Sequence, residues 1–480
     1  MTVDEICWLP ATELAAKIRT KALSPVEVVE AFLARIESLN PTLNAYCTVT
    51  ADLARERARA AEAAIMGGEN LGPLHGVPVS IKDLIFTKGI RTTYGSRILS
   101  EFVPDEDAVV VERLRAAGAI ILGKTNTPEF GYKGVTDNLL FGVTRNPWML
   151  DRTPGGSSGG ASAAVAAGLG PLAVGTDGGG SIRIPASFSG IYGLKPSFGR
   201  VPRGPGFPGW EFFSTVGPMT RTVRDAALML DVIAGPDGRD PSSLPAAGIS
   251  YSKAAEGNVK GLRCAWSADL GYAAVEPEVL EICRRAVTVF ERLGARVDEV
   301  KSVLSSPEEP FNLMAATETA TTWGHLLPEW EEKLDPGFVF FVKLGIGGSA
   351  ASYVEAMQTR KKVWNEVEQL FRDYDLLLTP TVAVPPFAAG EPGPTEIAGR
   401  SVTPGIGWIP FTYPFNMTGH PAASVPAGFT SEGLPVGLQL VGRRWADDAV
   451  LRASRAFEEA QPWAHLRPEL DLGSQISDVS

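Results

Sequence analysis

Cysteine and histidine are scarce in this chain, with four of each among 480 residues. Cys7, Cys47, Cys264 and Cys283 are far apart and form no CxxC pair. They read as reduced, buried thiols. His75, His325, His420 and His465 lack the spacing of a metal-binding pair such as HExxH, and no metal and no cofactor are expected. Positive charge is also short: Lys plus Arg is 44 against 55 for Asp plus Glu, a net charge of −11. That balance argues against nucleic acid or an anionic membrane as a partner. No stretch has the uncharged apolar length of a membrane helix, and the first residues lack the basic start and apolar run of a signal peptide. A cytoplasmic location is the expectation.

What is present is an ordinary globular composition, 44% hydrophobic and 21% charged, together with a steady alternation of helix and strand patterns. Thr12 to Lys21 reads as a helix. Ser24-Pro-Val-Glu27 is a capping-box start for a second helix, whose core face holds Val28, Val29, Phe32, Ile36 and Leu39. Residues 51 to 65 read as an exposed helix ending at Gly67-Gly68. Strands are expected at Val77 to Ile81, which delivers Lys82 and Asp83 at its end, and at Ala119 to Leu122, with a helix from about Asp107 to Ala117 between them. Further on come a helix over Val223 to Ala234 and a loop over Gly235 to Pro241 that is the one plausible linker. Beyond it lie strands at Leu262 to Trp266 and Arg296 to Val300 around a helix from Glu276 to Leu293. Residues 305 to 348 read as irregular, aromatic-rich cover for a cleft. A long helix from about Ser349 to Phe371 and buried strands at Asp375 to Thr379, Ala423 to Ala427 and Gly437 to Val441 complete the pass.

The chemistry concentrates between Thr153 and Pro196. Two glycine-serine clusters, Gly155-Gly-Ser-Ser-Gly-Gly160 and Gly178-Gly-Gly-Ser181, are separated by a small apolar run that suits a packed helix at Ala161 to Leu169 and a strand at Leu172 to Gly175. Helix and strand would return the second cluster to the first, so Ser157 and Ser181 could share one site with the amides of Gly178 to Ser181 beside them. Other readings of these residues stay open. Gly155-x-Ser157-x-Gly159 formally matches the nucleophile elbow of an α/β-hydrolase-type esterase with His420 as its base, although residues 146 to 154 do not look like the strand an elbow needs. A phosphate cradle would need a GK[ST] that neither cluster has. The blandest alternative makes the glycines turns only, and Lys82 a solvated strand-end lysine.

Taken as a set, Gly76-Val-Pro-Val-Ser-Ile-Lys-Asp-Leu84, Gly123-Lys-Thr-Asn-Thr-Pro-Glu-Phe-Gly131, the whole of 153 to 196 and Pro414-Phe-Asn-Met-Thr-Gly-His-Pro421 closely resemble the amidase signature family of serine hydrolases. That resemblance implies an α/β fold, one domain over 1–480 with a large mixed sheet covered by helices on both faces. N-terminal helices would span about 1–68, a catalytic core about 70–240 and a more variable substrate side about 250–375. It implies Ser181 as acyl-forming nucleophile, Ser157 as bridging serine after a cis Gly156-Ser157 peptide, and Lys82 as base. Gly178, Gly179 and Gly180 would supply oxyanion donors, Gly131 and Tyr132 would border the acyl pocket, and Ser158, Asp177 and Arg183 would support the site. The implied reaction is hydrolysis of a small-molecule amide, anilide or carbamate (urethane) by water. The flanking Phe130 and Tyr132, with Trp210, Phe212, Phe213 and the 305 to 348 aromatics, suit apolar substrates over free glutamine. Within the family the alternative is a glutamine-hydrolysing subunit feeding ammonia to a tRNA-linked partner, and outside it a protein that binds an acyl amide without cleaving it. A homodimer is left open.

Overall fold

The computed structural model describes residues 1–206 and 208–470. Its centre is a mixed sheet of eleven strands: β1 Tyr46–Val49, β2 Pro78–Lys82, β3 Ile120–Thr125, β4 Leu172–Asp177, β5 Tyr192–Lys195, β6 Thr215–Thr220, β7 Arg263–Trp266, β8 Arg296–Glu299, β9 Leu376–Pro380, β10 Ala422–Phe429 and β11 Pro435–Gly442. Their order across the sheet is β1-β3-β2-β4-β6-β5-β10-β11-β9-β7-β8. Helices cover both faces, as expected of an α/β chain.

Strand β2 runs parallel to β3 on one side and β4 on the other, with Ile81 opposite Val174. Parallel neighbours end on the same side of the sheet, so Lys82 at the end of β2 and Thr176-Asp177 at the end of β4 emerge together. Strands β2, β3 and β9 are buried along their whole length, which explains the apolar runs Ile120 to Leu122 and Leu376 to Leu378 within them. The Gly159–Ala166 helix is buried at every position. Only side chains as small as its alanines and glycines let a helix sit that close to the sheet and to the Arg183–Ser189 helix.

The capping box at Ser24 forms as read: Ser24 Oγ accepts from the Val26 amide at 2.9 Å and Glu27 Oε2 accepts from the Ser24 amide at 2.9 Å. The helix it opens runs Pro25–Leu43 with Val28, Val29, Phe32, Ile36 and Leu39 buried. The 235 to 241 segment is loop, and Arg113 ties it down by donating to the carbonyls of Ile233, Gly235 and Pro236 at 2.7 to 3.2 Å.

One expectation is corrected. Residues 305 to 348 are largely helical, comprising Glu308–Trp323, Leu327–Trp330 and Pro336–Ile346 with short 3-10 turns between them. The Glu308–Trp323 helix carries its apolar residues all round, because the Pro336–Ile346 and Ala350–Asp373 helices pack on it from two sides. A helix contacted on several faces has no single apolar stripe for sequence periodicity to reveal. The Arg183–Ser189 helix and the short β5 and β6 strands were not foreseen. Pro185 inside that helix and the four-residue length of β5 both mimic turn.

Ser24→Ala removes the cap and the bond from Ser24 Oγ to Glu62 Oε1 at 2.6 Å. Loss of such a cap costs about 0.5–2 kcal/mol, so urea denaturation should show a lowered midpoint at unchanged slope. An unchanged midpoint would show that the box adds nothing.

Candidate active site

Strand ends and glycine turns bring the two serine clusters to Lys82. Its Nζ lies 2.7 Å from Ser157 Oγ, 2.9 Å from Ser158 Oγ and 2.9 Å from Thr176 Oγ1. Lys82 is 0% exposed. Burial lowers its pKa well below the ordinary lysine value, against the pull of the Asp177 carboxylate. The Lys82 Nζ donates to these hydroxyls, and the lowered pKa eases loss of the proton that would free a lone pair to accept with.

The Gly156-Ser157 peptide is cis, as the resemblance implies. Ser157 is itself buried, and the Ser158 amide donates to the Ser181 carbonyl at 3.2 Å, joining the two clusters through their backbones. Ser157 and Ser181 line one cavity. Among the described residues the Ser181 hydroxyl has no hydrogen-bond partner, so it is free to meet a ligand.

Asp177 shapes the loop that carries Ser181. Its Oδ1 accepts from the Gly180 amide at 2.9 Å and from Arg183 Nη2 at 2.8 Å, while Oδ2 accepts from Arg183 Nε at 2.9 Å and from the Ile182 and Arg183 amides at 3.2 and 3.4 Å. Burial alone would raise the pKa of this carboxyl, but Arg183 and its other donors bring it down to about 2. Arg183 in turn donates to the Thr412 carbonyl, Gln439 Oε1 and Asn416 Oδ1 at 2.6 to 2.9 Å. The Gly180 amide is thus spent on Asp177 and is no oxyanion donor. Among the described residues the amides of Gly178, Gly179 and Ser181 have no protein acceptor, which leaves them available for a developing oxyanion.

Two cavities meet at Ser181, Gly131 and Trp210. The inner one, about 60 Å³, is walled by Leu84, Ile85, Ala108, Val110, Phe130 and Val216 and also reaches Ser157. The outer one, about 390 Å³, is lined by Tyr132, Phe311, Phe340, Phe341, Leu344 and Ile409 among others. Gly131 adopts φ +67°, and a Cβ there would stand 2.6 Å from Leu84 Cδ1 and 3.4 Å from Ser157 Oγ, so only glycine lets this loop close on the site. Of the expected aromatics, Phe130, Tyr132 and Trp210 face a cavity, while Phe213 is core and Phe212 is on the surface.

Neither half of the elbow reading is met. Residues 146 to 154 form no strand leading to Ser157. His420 lines neither cavity: it is buried between Trp364 and Phe371, bonded to Thr418 and Glu368, and burial lowers its pKa to about 3. Sequence reasoning missed Thr176, Asn416 and Gln439. Thr176 directly precedes Asp177 in the glycine-serine stretch, and Asn416 lies in the Pro414 to Pro421 motif, so both were within sight. Gln439, central in β11, gave no signal.

A family model described as Amidase matches residues 27–451. The chain is 44% identical to an acylamidase of Rhodococcus erythropolis over 98% of each chain. It is 41% identical to a glutamyl-tRNA(Gln) amidotransferase subunit of Moorella thermoacetica, across 98% of this chain and 100% of that one. Among solved structures, a bacterial aryl acylamidase of the amidase signature enzymes superposes with a TM-score of 0.91 at 37% identity, covering 95% of this chain and 97% of the other. The structure of 6-aminohexanoate cyclic dimer hydrolase in complex with substrate gives a TM-score of 0.89 at 32% identity, covering 96% and 99%.

The depressed Lys82 pKa has a stability signature. Between the folded value and the ordinary lysine value of 10.5, the unfolded chain binds a proton that the folded chain does not, so stability rises with pH by at most about 1.4 kcal/mol per unit. Denaturation from pH 7 to 9 should show wild type gaining on Lys82→Met as pH rises. Parallel pH curves for the two would mean that Lys82 is charged in the fold.

Proposed function

The chain belongs to the amidase signature family of hydrolases, and from that premise we propose that it hydrolyses neutral amides with apolar or aromatic groups, carbamates included, through an acyl-enzyme on Ser181. The observation that carries this reading is the 2.7 Å contact of a fully buried Lys82 with Ser157, beside a Ser181 hydroxyl that opens on two cavities.

In the proposed reaction Ser181 Oγ attacks the amide carbon as its proton passes to Ser157 Oγ, and the Ser157 proton passes to Lys82 Nζ. The amides of Gly178, Gly179 and Ser181 support the oxyanion. As the C–N bond breaks, the proton returns through Ser157 to the leaving nitrogen, which departs as amine. Water then repeats the sequence on the ester, giving the carboxylic acid and free Ser181.

The small inner cavity suits a short acyl group, and the larger aromatic outer cavity suits an aryl or apolar amine. Free glutamine would bring an α-ammonium and an α-carboxylate. Among the described residues neither cavity has a lining carboxylate to receive the ammonium. The one inner cation, Arg203, already donates to the Gly209 and Trp210 carbonyls and pairs with Glu211. Lys133, at the outer cavity, is held by Asp137 and Asp335. The Moorella relative favours glutamine as the second reading.

Steady-state kinetics on folded variants test the mechanism. Lys82→Ala and Ser157→Ala should each lower kcat for one anilide by about 10²–10⁴-fold, with a double variant little worse than either, because both interrupt one proton path. Near-wild-type turnover by Lys82→Ala would end the assignment. Wild-type activity should climb with pH as the lysine loses its proton. On the substrate side, short-chain anilides and aryl carbamates should exceed glutamine in kcat/KM, and the reverse order would transfer the reading to glutamine hydrolysis.

A further inference from the structure

The outer cavity owes one wall to the Pro336–Ile346 helix, which contributes Gly337, Phe340, Phe341 and Leu344. This helix comes from a distant part of the chain: Asp335, just before it, is 203 positions from Tyr132 in the loop it faces. Its outer side is poorly supported, since Phe340 is 70% exposed. Something must hold it in register with the site.

Asp335 is held by three residues of the 129 to 133 loop. Glu129 Oε2 accepts from the Asp335 amide at 2.5 Å, Tyr132 Oη donates to Asp335 Oδ1 at 2.8 Å, and Lys133 Nζ donates to Asp335 Oδ2 at 3.0 Å. The same carboxylate caps the helix by accepting from the Gly337 amide at 2.8 Å. Each oxygen of one side chain therefore serves the loop, and Oδ1 serves the helix as well. Gly337 adds an independent sign of a built contact: a Cβ there would stand 2.3 Å from Tyr132 Oη, so the first turn of the helix is pressed onto Tyr132 closer than any other residue permits. Burial works against the Asp335 charge, yet Lys133 and the hydroxyl and amide donors keep its pKa below the ordinary aspartate value.

We propose that Asp335 is a positioning residue that clamps the Pro336–Ile346 helix to the Gly131–Tyr132–Lys133 turn, and thereby sets the affinity of the outer cavity for an aromatic leaving group. The clamp makes no contact with the reacting atoms. Its loss widens the cleft on the amine side and leaves Lys82, Ser157 and Ser181 where they are. Tyr132, with its hydroxyl committed to Asp335, meets a ligand with its ring.

The proposal rests on the amide-hydrolase reading, and the experiment separates the two. Binding of an acetanilide-type ligand is measured by calorimetry in the Ser181→Ala background, with Asp335 intact, Asp335→Ala or Asp335→Asn. The anilide Kd should rise about tenfold with Asp335→Ala. Asp335→Asn, which keeps the Oδ1 acceptor and the cap, should recover most of that loss. In parallel, enzymes with an intact Ser181 are assayed on an anilide and on the primary amide of the same acid. The ratio of kcat/KM for anilide over primary amide should fall about tenfold with Asp335→Ala, through KM. An unchanged anilide Kd, or a proportional fall for both substrates, overturns the clamp. Wild type that turns over neither substrate overturns the functional reading instead, and the Kd series still decides the clamp.

Discussion

A buried lysine keeps a lowered pKa beside a carboxylate where that carboxylate is already paired, and the fold meets this condition by setting Arg183 on Asp177. Asp177 is the group that draws Lys82 toward its ammonium form. Arg183 meets both Asp177 oxygens, at 2.8 and 2.9 Å, and both side chains are wholly buried. Lys82 therefore faces a nearly neutral pair and three hydroxyls, and burial decides its charge. A buried pair of this kind adds little net stability, but removing one partner costs several kcal/mol. Here it also gives the 178 to 183 loop its curl, because the amides of Gly180, Ile182 and Arg183 all converge on Asp177.

What the chain displays openly is whatever local chemistry decides. Ser24 and Glu27 mark a helix start because the capping box is a four-residue event, and Lys82 could be placed at a strand end because Val77 to Ile81 is apolar but for Ser80. The convergence of Ser157 and Ser181 was legible for a similar reason: the small residues between them have room for one helix and one strand, and for little else. Contacts made across long separations were hidden. Gln439 accepts from Arg183 across 256 positions and Asn416 across 233; the motif around Asn416 marks the residue without naming its partner, and nothing near Gln439 marks it at all. The Glu308–Trp323 helix was invisible for want of an apolar stripe. The spending of the Gly180 amide on Asp177 was missed because composition cannot tell which of several consecutive amides turns inward.

The two cavities differ in more than size. The buried Leu84, Ile85, Val110 and Phe130 wall the inner one, whereas Phe340 stands at the edge of the outer one in solvent. In the proposed reaction the amine leaves while the acyl group is still bonded to Ser181, so the amine belongs in the larger cavity, edged by the exposed Phe340. Water for the second step then follows the path the amine vacates.

That order bears on why two serines stand between substrate and base. Water must reach the ester carbon, yet a lysine that met that water would regain its hydration and with it the proton it has to be without. Base and water thus need to be separated by something that conducts a proton and excludes solvent. A buried hydroxyl does both, since it can accept one proton while donating another. Ser157 occupies that position, nearly fully buried in the wall of the inner cavity and 2.7 Å from the Nζ of Lys82, which lines neither cavity. In the proposed reaction the second serine is thus the consequence of using lysine as a base at neutral pH: the drier the lysine must be kept, the more the nucleophile needs an intermediary to reach it.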